Sequence, residues 1–413
     1  MKFTTEGVAR RGRRSVLAGV GAMLLLVTTF GAAAVPVAAD PPPDAAPSEM
    51  ASQTVVVDGA QTGRPFAGIG GLSATSKLLF DYPEPQRGEI LDYLFTPGYG
   101  AELSVLKVPI GGDTFGGIGG ADPTHMRIRG EVNCERGHVW WLMEQAKDRN
   151  PAIELSALPW AIPGWFDGGL WSTDHVDYLV EWLDCAQQRG LEIDALGGLN
   201  ESPAEPEVYV PFYLELKETL VAAGYGDVRL VCCDHATNFD DNEWKAAQAV
   251  ADDPDFARVV DIIGVHSPIP CRFGGSCANP PEARDSGKEL RITEQAMGGG
   301  QPDADHARHR AQQYNRMYIE GRITGADIWP MTTGFYTDGR ADGTFVLNNR
   351  PWSGQYEVKS SVWVTAHTNQ FADPGWRYVD DASRELDAGG SIVTLRAPDP
   401  RDPDEAADYS VVA

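Results

Sequence analysis

Residues 194–202 read DALGGLNES, a short apolar run with two glycines that ends on Asn200 and Glu201. An apolar run of this length, closed by polar residues, predicts a strand that is buried on both faces of a sheet. Three interpretations of the polar end remain open. Glu201 is a reacting group, or an acid that begins a helix, or the middle residue of an Asn-Glu-Ser acceptor for N-glycosylation.

Seven further runs of the same kind are spread along the chain. The eight runs are residues 66–73, 103–112, 153–160, 194–202, 228–234, 259–267, 290–295 and 326–334. Stretches with helical spacing lie between them, such as TDHVDYLVEWLDCAQQRG at 173–190. Short strands that alternate with helices predict an α/β fold, a (β/α)8 TIM barrel over residues 66–350.

The sequence on either side of this region has a different character. Residues 351–413 contain SSVWVTAHTNQF, SIVTLRAP and YSVVA, which we interpret as strands of a β-sandwich. Residues 54–65 are expected to form an N-terminal strand that joins this sandwich. Because the chain stops on SVVA, in what should be the middle of a strand, we expect the sandwich to be truncated.

The first residues predict an export signal. Residues 1–39 contain RRGRRS followed by an apolar stretch and small residues, and Val37-Ala38-Ala39 is a candidate cleavage site. Arg13-Arg14 fits a twin-arginine route, which is typical of bacteria. A Pro-rich linker follows at 40–53. An uncleaved membrane anchor is the alternative, although the apolar run is short for a span. The signal predicts a secreted, extracellular protein.

The net charge and the cysteines of the chain argue against several kinds of binding protein. The formal net charge of −25 at pH 7 argues against binding to nucleic acid or to an anionic membrane. The chain has six cysteines, and export permits disulfides. Cys271 and Cys277, joined by the loop CRFGGSC, are the best candidate pair. The spacing of the cysteines does not fit a zinc site.

Two carboxylates occupy strand ends that face each other across the predicted barrel. Glu201 follows the fourth run and Glu294 follows the seventh, at the end of the barrel where reactive groups collect. A retaining glycosidase needs two carboxyl groups about 5–5.5 Å apart, one as acid/base and one as nucleophile. Their environments should separate their pKa values. Asn200 is placed to bind a sugar 2-hydroxyl.

Aromatic and histidine residues at other strand ends add to this site. Trp160 and Trp329 end the third and eighth runs and are expected to stack on a sugar ring, whereas Trp165 fits sugar binding and rim packing equally well. His266 ends the sixth run and either orients Glu294 or is structural. No metal site is predicted, since the pair at residues 306 and 309 lacks a third ligand. A calcium ion in the acidic tail at 398–409 is less favoured than a solvated loop.

Several stretches together resemble the galactosylceramidase (galactocerebrosidase) family of glycoside hydrolases. They include GIGGLSATSKLLFDYPEPQRGEILDYLFTPGYGAELSVLKVPIGGD, WWLMEQAKDRNP, LPWAIPGW and RPWSGQYEVKSSVWVTAHTNQFADPGWRY. The resemblance implies a (β/α)8 barrel with a β-sandwich and a lectin-like domain, and release of galactose from β-galactosides with retention. It also implies roles for individual residues: acid/base Glu201, nucleophile Glu294, and sugar contacts from Asn200, Trp160, Trp329, and Gly111-Gly112-Asp113.

The chain departs from the family pattern at several positions. Leu199 replaces the usual Trp before Asn-Glu, and Ser267 replaces the usual Tyr after the sixth-strand histidine. The family's galactose-contacting Thr has no clear counterpart after Gly-Gly-Asp, and the loop CRFGGSC is unusual. The later sandwich strands, with their substrate-binding Arg, and the lectin-like domain do not occur in these residues.

The sequence therefore predicts a secreted retaining β-galactosidase that acts on galactosylceramide-like glycolipids or related β-galactosides, without a cofactor. One alternative is a retaining glycosidase with another sugar specificity, glucosylceramidase-like or galactan-cleaving. The other is a galactoside-binding protein without activity. A lipid-presenting partner is compatible with a glycolipid substrate but is not specified by any motif.

Overall fold

The structure is a computed structural model. It describes residues 53–59, 61–73, 76–113, 122–236, 244–266, 268, 270–296, 302–333, 343–387, 389–398 and 407–413. The export signal and almost all of the linker lie outside these residues, so both stay predictions. In the described part of the chain, no helix has the length and apolar character needed to cross a membrane.

The described residues form strands β1 to β18 and helices α1 to α10, numbered along the chain. The strands are β1 Thr62–Pro65, β2 Gly68–Leu72, β3 Val105–Ile110, β4 Met126–Ile128, β5 Glu131–Val132, β6 Glu154–Pro159, β7 Ala195–Gly197, β8 Arg229–Ala236, β9 Ile262–His266, β10 Glu289–Ala296, β11 Gly325–Trp329, β12 Thr332–Thr333, β13 Val346–Arg350, β14 Gln355–Val358, β15 Arg377–Val379, β16 Arg384–Glu385, β17 Ser391–Arg396 and β18 Tyr409–Val412. The helices are α1 Ser76–Phe80, α2 Gln86–Phe95, α3 Val139–Arg149, α4 Thr173–Gln188, α5 Pro206–Ala223, α6 Lys245–Asp252, α7 Pro254–Val259, α8 Pro281–Arg284, α9 Asp303–Gly321 and α10 Ser360–Asn369.

Eight strands close into a parallel barrel, which confirms the predicted fold class. Their order around the ring is β2-β3-β6-β7-β8-β9-β10-β11, and β11 pairs with β2 to close it. Each strand overlaps one of the eight apolar runs. The runs are apolar on both strand faces because helices cover the outside of the barrel while side chains fill the inside. All six residues of β3, VLKVPI, are buried, for example.

The helices between the strands cover the barrel with one apolar face each. In α4 the buried residues Val176, Leu179, Leu183 and Ala186 are three or four positions apart. This spacing places them on one side of a helix, and that side packs on the barrel. The helical spacing of apolar residues in the sequence therefore arises because each helix buries one apolar face against the barrel.

Charged side chains lie inside the barrel at different depths. Buried Arg291 donates to Glu154 at 2.7 Å, near the amino ends of the strands. Asp327 lies on β11 two residues before Trp329, so both side chains point to the same side of the strand. Neither carboxylate oxygen of Asp327 has a hydrogen-bond partner among the described residues. Burial, opposed by the charge of Arg291, raises the pKa of Asp327 to about 7.

The carboxyl-terminal strands form a five-stranded antiparallel sheet. Its order is β1-β15-β17-β16, and β18 pairs with β17 on the other edge. The strands predicted in SIVTLRAP and YSVVA are present as β17 and β18. Within residues 54–65, the strand that joins this sheet is β1, which pairs with β15. A second, three-stranded sheet has the order β12-β13-β14.

The prediction of a strand in SSVWVTAHTNQF is wrong, because Ser360–Asn369 form helix α10. Its β-branched and aromatic residues favour a strand by propensity. The buried residues Val362, Thr365, Ala366 and Asn369 are nevertheless spaced for a helix. The Asn369 amide also donates to the carbonyl oxygen of Ile69 in β2 at 2.9 Å. Packing on the barrel therefore overrides local propensity here.

We expect Asp327→Asn to stabilise the protein more at pH 8 than at pH 5. The raised pKa of Asp327 means that the unfolded chain loses this proton at lower pH than the folded chain, so stability falls as pH rises toward 7. The gain in the free energy of unfolding should be about 2 kcal/mol larger at pH 8 than at pH 5. Urea denaturation at both pH values measures it. Glu218→Gln, at an exposed helix position, is the control, and an equal gain at both pH values would contradict the account.

Candidate active site

The predicted catalytic carboxylates lie at the carboxyl end of the barrel, on strands β7 and β10. Glu201 lies in the turn after β7, and Glu294 lies near the end of β10. His266, the last residue of β9, lies between them. One oxygen of each glutamate and one nitrogen of His266 all lie within 4.8 Å of one another. The barrel thus brings together three side chains that are far apart in the sequence.

The two glutamates differ in exposure. The side chain of Glu201 is 37% exposed, whereas that of Glu294 is 10% exposed. Burial raises the pKa of Glu294, and the charge of His266 opposes this rise. The exposed carboxyl group can exchange a proton with water, while the buried one is shielded from water and faces the interior of the site.

The imidazole of His266 is positioned between the carboxylates. Its Nδ1 lies 3.3 Å from Glu201 Oε1 and 3.5 Å from Glu294 Oε2. Burial lowers the pKa of His266, but the charge of Glu294 and hydrogen bonds with Asp234 and Glu201 outweigh this effect and raise it to about 9. His266 is therefore a cation at neutral pH. We interpret this cluster of two carboxyl groups and one imidazole as an acid–base site.

Lys107 and Asp234 extend this cluster into the barrel and were not among the residues predicted for the site. Lys107 Nζ lies 2.5 Å from Asp234 Oδ1, which lies 3.3 Å from His266 Nε2. Both side chains are buried. The signal in the sequence was a charged residue within or at the end of an apolar run, Lys107 in LSVLKVPIGG and Asp234 in VRLVCCD. Such residues are rarely buried unless they are paired.

Trp160, Trp329 and Asn200 present unused polar atoms near this cluster. The two indole rings lie with centroids 6.5 Å apart and an interplanar angle of 40°. Each indole Nε1 and the Asn200 Oδ1 are buried without a hydrogen-bond partner among the described residues. Buried polar atoms normally have partners. Two donors and one acceptor left unused at a barrel mouth fit a ligand that carries hydroxyl groups.

The Gly-Gly-Asp stretch follows β3 at the same end of the barrel. The Asp113 carboxylate accepts two hydrogen bonds from Arg136 Nη2, at 2.9 and 2.6 Å, so its charge is already paired. A side chain at Gly112 would place Cβ 2.7 Å from the carbonyl carbon and oxygen of Ala161. Gly112 therefore permits close approach of two loops, and sugar contacts by Gly112 and Asp113 stay predictions.

Other residues singled out in the sequence lie nearby or outside the site. Leu199 is buried directly before Asn200, and Ser267 lies outside the described residues. Trp165 donates to Met126 O at 2.8 Å and packs under Arg129, which is a rim-packing arrangement. His306 is buried within α9.

All six cysteines are paired. Cys271 bonds Cys277 across the CRFGGSC loop after β9. Two further disulfides, Cys134–Cys185 and Cys232–Cys233, were not predicted. The first joins the segment before α3 to α4, and the second lies within β8. Three disulfides are typical of a protein that folds in an oxidising compartment.

Comparisons with known proteins agree with this geometry. The model of the family described as glycosyl hydrolase family 59 matches residues 66–370. The chain is 37% identical over 358 residues to galactocerebrosidase of Danio rerio, covering 83% of the chain and 50% of that protein. It is 37% identical over 361 residues to galactocerebrosidase of Homo sapiens, covering 83% and 48%. The chain thus spans about half the length of the curated relatives it matches.

Solved structures with low sequence identity share the fold. The crystal structure of SrfJ from Salmonella typhimurium matches with a TM-score of 0.65 at 15% identity, covering 85% of this chain and 89% of that one. An endo-β1,6-glucanase matches with a TM-score of 0.63 at 18% identity, covering 84% and 87%. At such identities the likeness concerns the barrel architecture.

We expect Gly112→Ala to destabilise the protein by about 1–3 kcal/mol, because the new methyl group meets backbone atoms of Ala161 that cannot rotate away. Gly164→Ala is the matched control, since a Cβ there has no atom within 4 Å. The free energy of unfolding from urea denaturation is the measurement. Equal stability of the two variants would show that the two loops are not in close contact.

Proposed function

The chain belongs to glycosyl hydrolase family 59, and from this premise we propose that it is a secreted retaining β-galactosidase of the galactosylceramidase type. The observation that carries the proposal is the short separation of two carboxylates at the carboxyl end of the barrel. Oxygens of Glu201 and Glu294 lie within 4.8 Å of each other. Retaining glycosidases hold their two carboxyl groups about 5–5.5 Å apart, whereas inverting enzymes need about 6.5–9.5 Å to admit a water.

The environments of the two carboxylates support separate roles. Glu294 is the nucleophile, because it is the more buried group and His266 provides a positive charge beside it. Glu201 is the acid/base, because its greater exposure allows it to exchange protons with water. The sequence prediction of these roles is thus supported by geometry as well as by resemblance.

The reaction proceeds in two balanced steps. In the first, a Glu294 oxygen bonds the anomeric carbon while the glycosidic bond breaks, and Glu201 gives its proton to the leaving oxygen. In the second, Glu201 takes a proton from water, whose oxygen bonds the anomeric carbon and releases Glu294. Neither step requires a cofactor.

The unused polar atoms supply sugar recognition. Trp160 Nε1, Trp329 Nε1 and Asn200 Oδ1 are buried without partners among the described residues. Hydroxyl groups of a bound sugar would satisfy them, and the two indole rings provide apolar faces for the ring carbons. A ligand whose hydroxyl groups pair with all three atoms is favoured, because a buried polar atom left without a partner costs free energy.

Galactosylceramide-like glycolipids are the proposed substrates because the curated relatives are named galactocerebrosidases. Leu199 borders the sugar-binding Asn200 and is the place where specificity would differ. Glucosylceramidase-like or galactan-cleaving activity is therefore the alternative, and a non-catalytic galactoside-binding protein is a second one. Rates on aryl β-galactosides, β-glucosides and β-fucosides distinguish the first alternative, and galactose binding without turnover would indicate the second.

Export from the cytoplasm is part of the proposal. Disulfides such as Cys134–Cys185 form and persist in oxidising compartments, and the predicted signal at residues 1–39 is consistent with this. A partner that presents a lipid to the site is compatible with a glycolipid substrate.

We expect Glu294→Gln to lower the rate of aryl β-galactoside hydrolysis by about 1,000-fold or more, because the amide cannot form the galactosyl ester. Glu205→Gln is the matched control. Glu205 lies four residues after Glu201 and pairs with Lys245 at 3.1 Å on the outside of the site. Its activity should stay within about threefold of the wild type. Equal rates for wild type and Glu294→Gln would overturn the assignment.

A further inference from the structure

We propose that Asp234 is a positioning residue that holds His266 as a cation shared by the two catalytic carboxylates, first Glu294 and then Glu201, and that Lys107 positions Asp234 for this role. The inference rests on the proposed retaining mechanism. It assigns roles to a buried pair that was not predicted as part of the site, and it explains how one site can keep a nucleophile and a base ionised in turn.

Asp234 contacts the site through both its side chain and its backbone. Its Oδ1 accepts from Lys107 Nζ at 2.5 Å and lies 3.3 Å from His266 Nε2. Its backbone carbonyl accepts the amide of Glu201 at 3.1 Å. The side chain is 1% exposed, so water does not compete for these bonds. One residue therefore fixes the ring of His266 and the backbone position of Glu201.

Lys107 connects the same pair to the other carboxylate. Its ammonium group donates to the carbonyl oxygen of Thr293 at 2.9 Å, directly before Glu294. Burying one ammonium or one carboxylate alone is costly, whereas a hydrogen-bonded pair offsets much of that cost. Lys107 and Asp234 thus form a pair with no net charge. Lys107 bonds the backbone directly before Glu294, and Asp234 bonds the backbone amide of Glu201.

Backbone strain at the same place indicates that these contacts are needed. Asp234 and Glu201 both adopt left-handed conformations, with φ of 55° and 49°. Such conformations cost about 1–3 kcal/mol each for residues other than glycine and persist where surrounding contacts enforce them. The hydrogen bond from the Glu201 amide to the Asp234 carbonyl joins the two strained residues directly.

The charged groups around His266 lie on several different strands of the barrel. Asp234 on β8 is negative throughout, Glu294 on β10 is negative in the free enzyme, Glu201 after β7 is negative once it has given up its proton, and Lys107 on β3 is positive. Two further charged groups act on this cluster: Asp327 on β11 lies near Lys107, and Arg272 after β9 acts on Glu294. At each stage two carboxylates against one ammonium group favour the imidazolium form.

The two steps of the mechanism use this cation differently. In the free enzyme, His266 Nδ1 lies 3.5 Å from Glu294 Oε2 and 3.3 Å from Glu201 Oε1, so its proton is within reach of either carboxyl group. The imidazolium keeps buried Glu294 ionised for attack. Once Glu294 becomes a galactosyl ester its charge is lost, and the Nδ1–H then donates to Glu201, which must be a carboxylate to accept a proton from water. His266 keeps its own proton throughout.

The test compares Asp234→Asn with Lys107→Met. Removing the negative partner should lower the pKa of His266 by at least one unit, a tenfold change in its ionisation constant, whereas removing the positive partner should raise it. The chain has eight histidines, so the signal of His266 in an NMR titration is the one absent from His266→Gln. Shifts in opposite directions are a result that a merely structural role would not produce.

Kinetics provide a second readout on an aryl β-galactoside. The ratio of kcat/KM for Asp234→Asn to that of the wild type should fall by about fivefold or more between pH 6 and pH 9, as a pKa decrease of one unit or more requires, while the ratio for Lys107→Met should not fall with pH. The control is Glu289→Gln, at the opposite end of β10 and paired with Arg229 and Arg291, which should leave the His266 titration unchanged.

A folded Asp234→Asn variant with an unchanged His266 titration, or with a pH-independent activity ratio, would overturn the proposal. If a lone buried charge prevents folding, the double variant Asp234→Asn/Lys107→Met retains a neutral interior. It should still lower the pKa of His266, because Asp234 contacts the ring directly. The titration needs no turnover, so an inactive wild type would overturn the proposed function while leaving this test intact.

Discussion

Closure of the parallel barrel is the constraint on which the rest of the structure depends. The ring closes where β11 pairs with β2, with Ala326 opposite Ile69. A Cβ at Gly70 would lie 2.5 Å from an oxygen of Asp327 and from Val105 Cβ, so the strands approach this closely because glycine has no side chain. Once the ring is closed, the carboxyl ends of all eight strands share one edge. Glu201, His266 and Glu294 face one another for this reason.

Some charged side chains inside the barrel have a partner of opposite charge, and others do not. Lys107 and Asp234 offset each other, and His266 is stabilised by Asp234 together with a catalytic carboxylate. Asp327, by contrast, has no hydrogen-bond partner among the described residues, and its pKa rises to about 7. Buried charge is an inefficient way to gain stability. A cluster of buried charged groups below a barrel mouth is typical of a functional site, where shifted pKa values allow side chains to donate and accept protons.

The sequence predicted the barrel well because each strand is buried on both faces and each helix on one, which leaves regular patterns. It also placed Glu201 and Glu294, since position relative to a strand end can be counted along the chain. Helix α10 was missed because its packing against β2 overrides β-branched composition. Lys107 and Asp234 were missed for a different reason. A single charged residue in an apolar run does not reveal its partner, and only barrel closure brings the two strands together.

The central claim is that two closely spaced carboxylates react by double displacement. The most direct test is to follow hydrolysis of an aryl β-galactoside by proton NMR and to identify the first anomer of galactose that is released, before mutarotation. The account predicts β-galactose, because two inversions at the anomeric carbon restore its configuration. Release of α-galactose would require a single displacement by water and would contradict the assignment of Glu294 as the nucleophile.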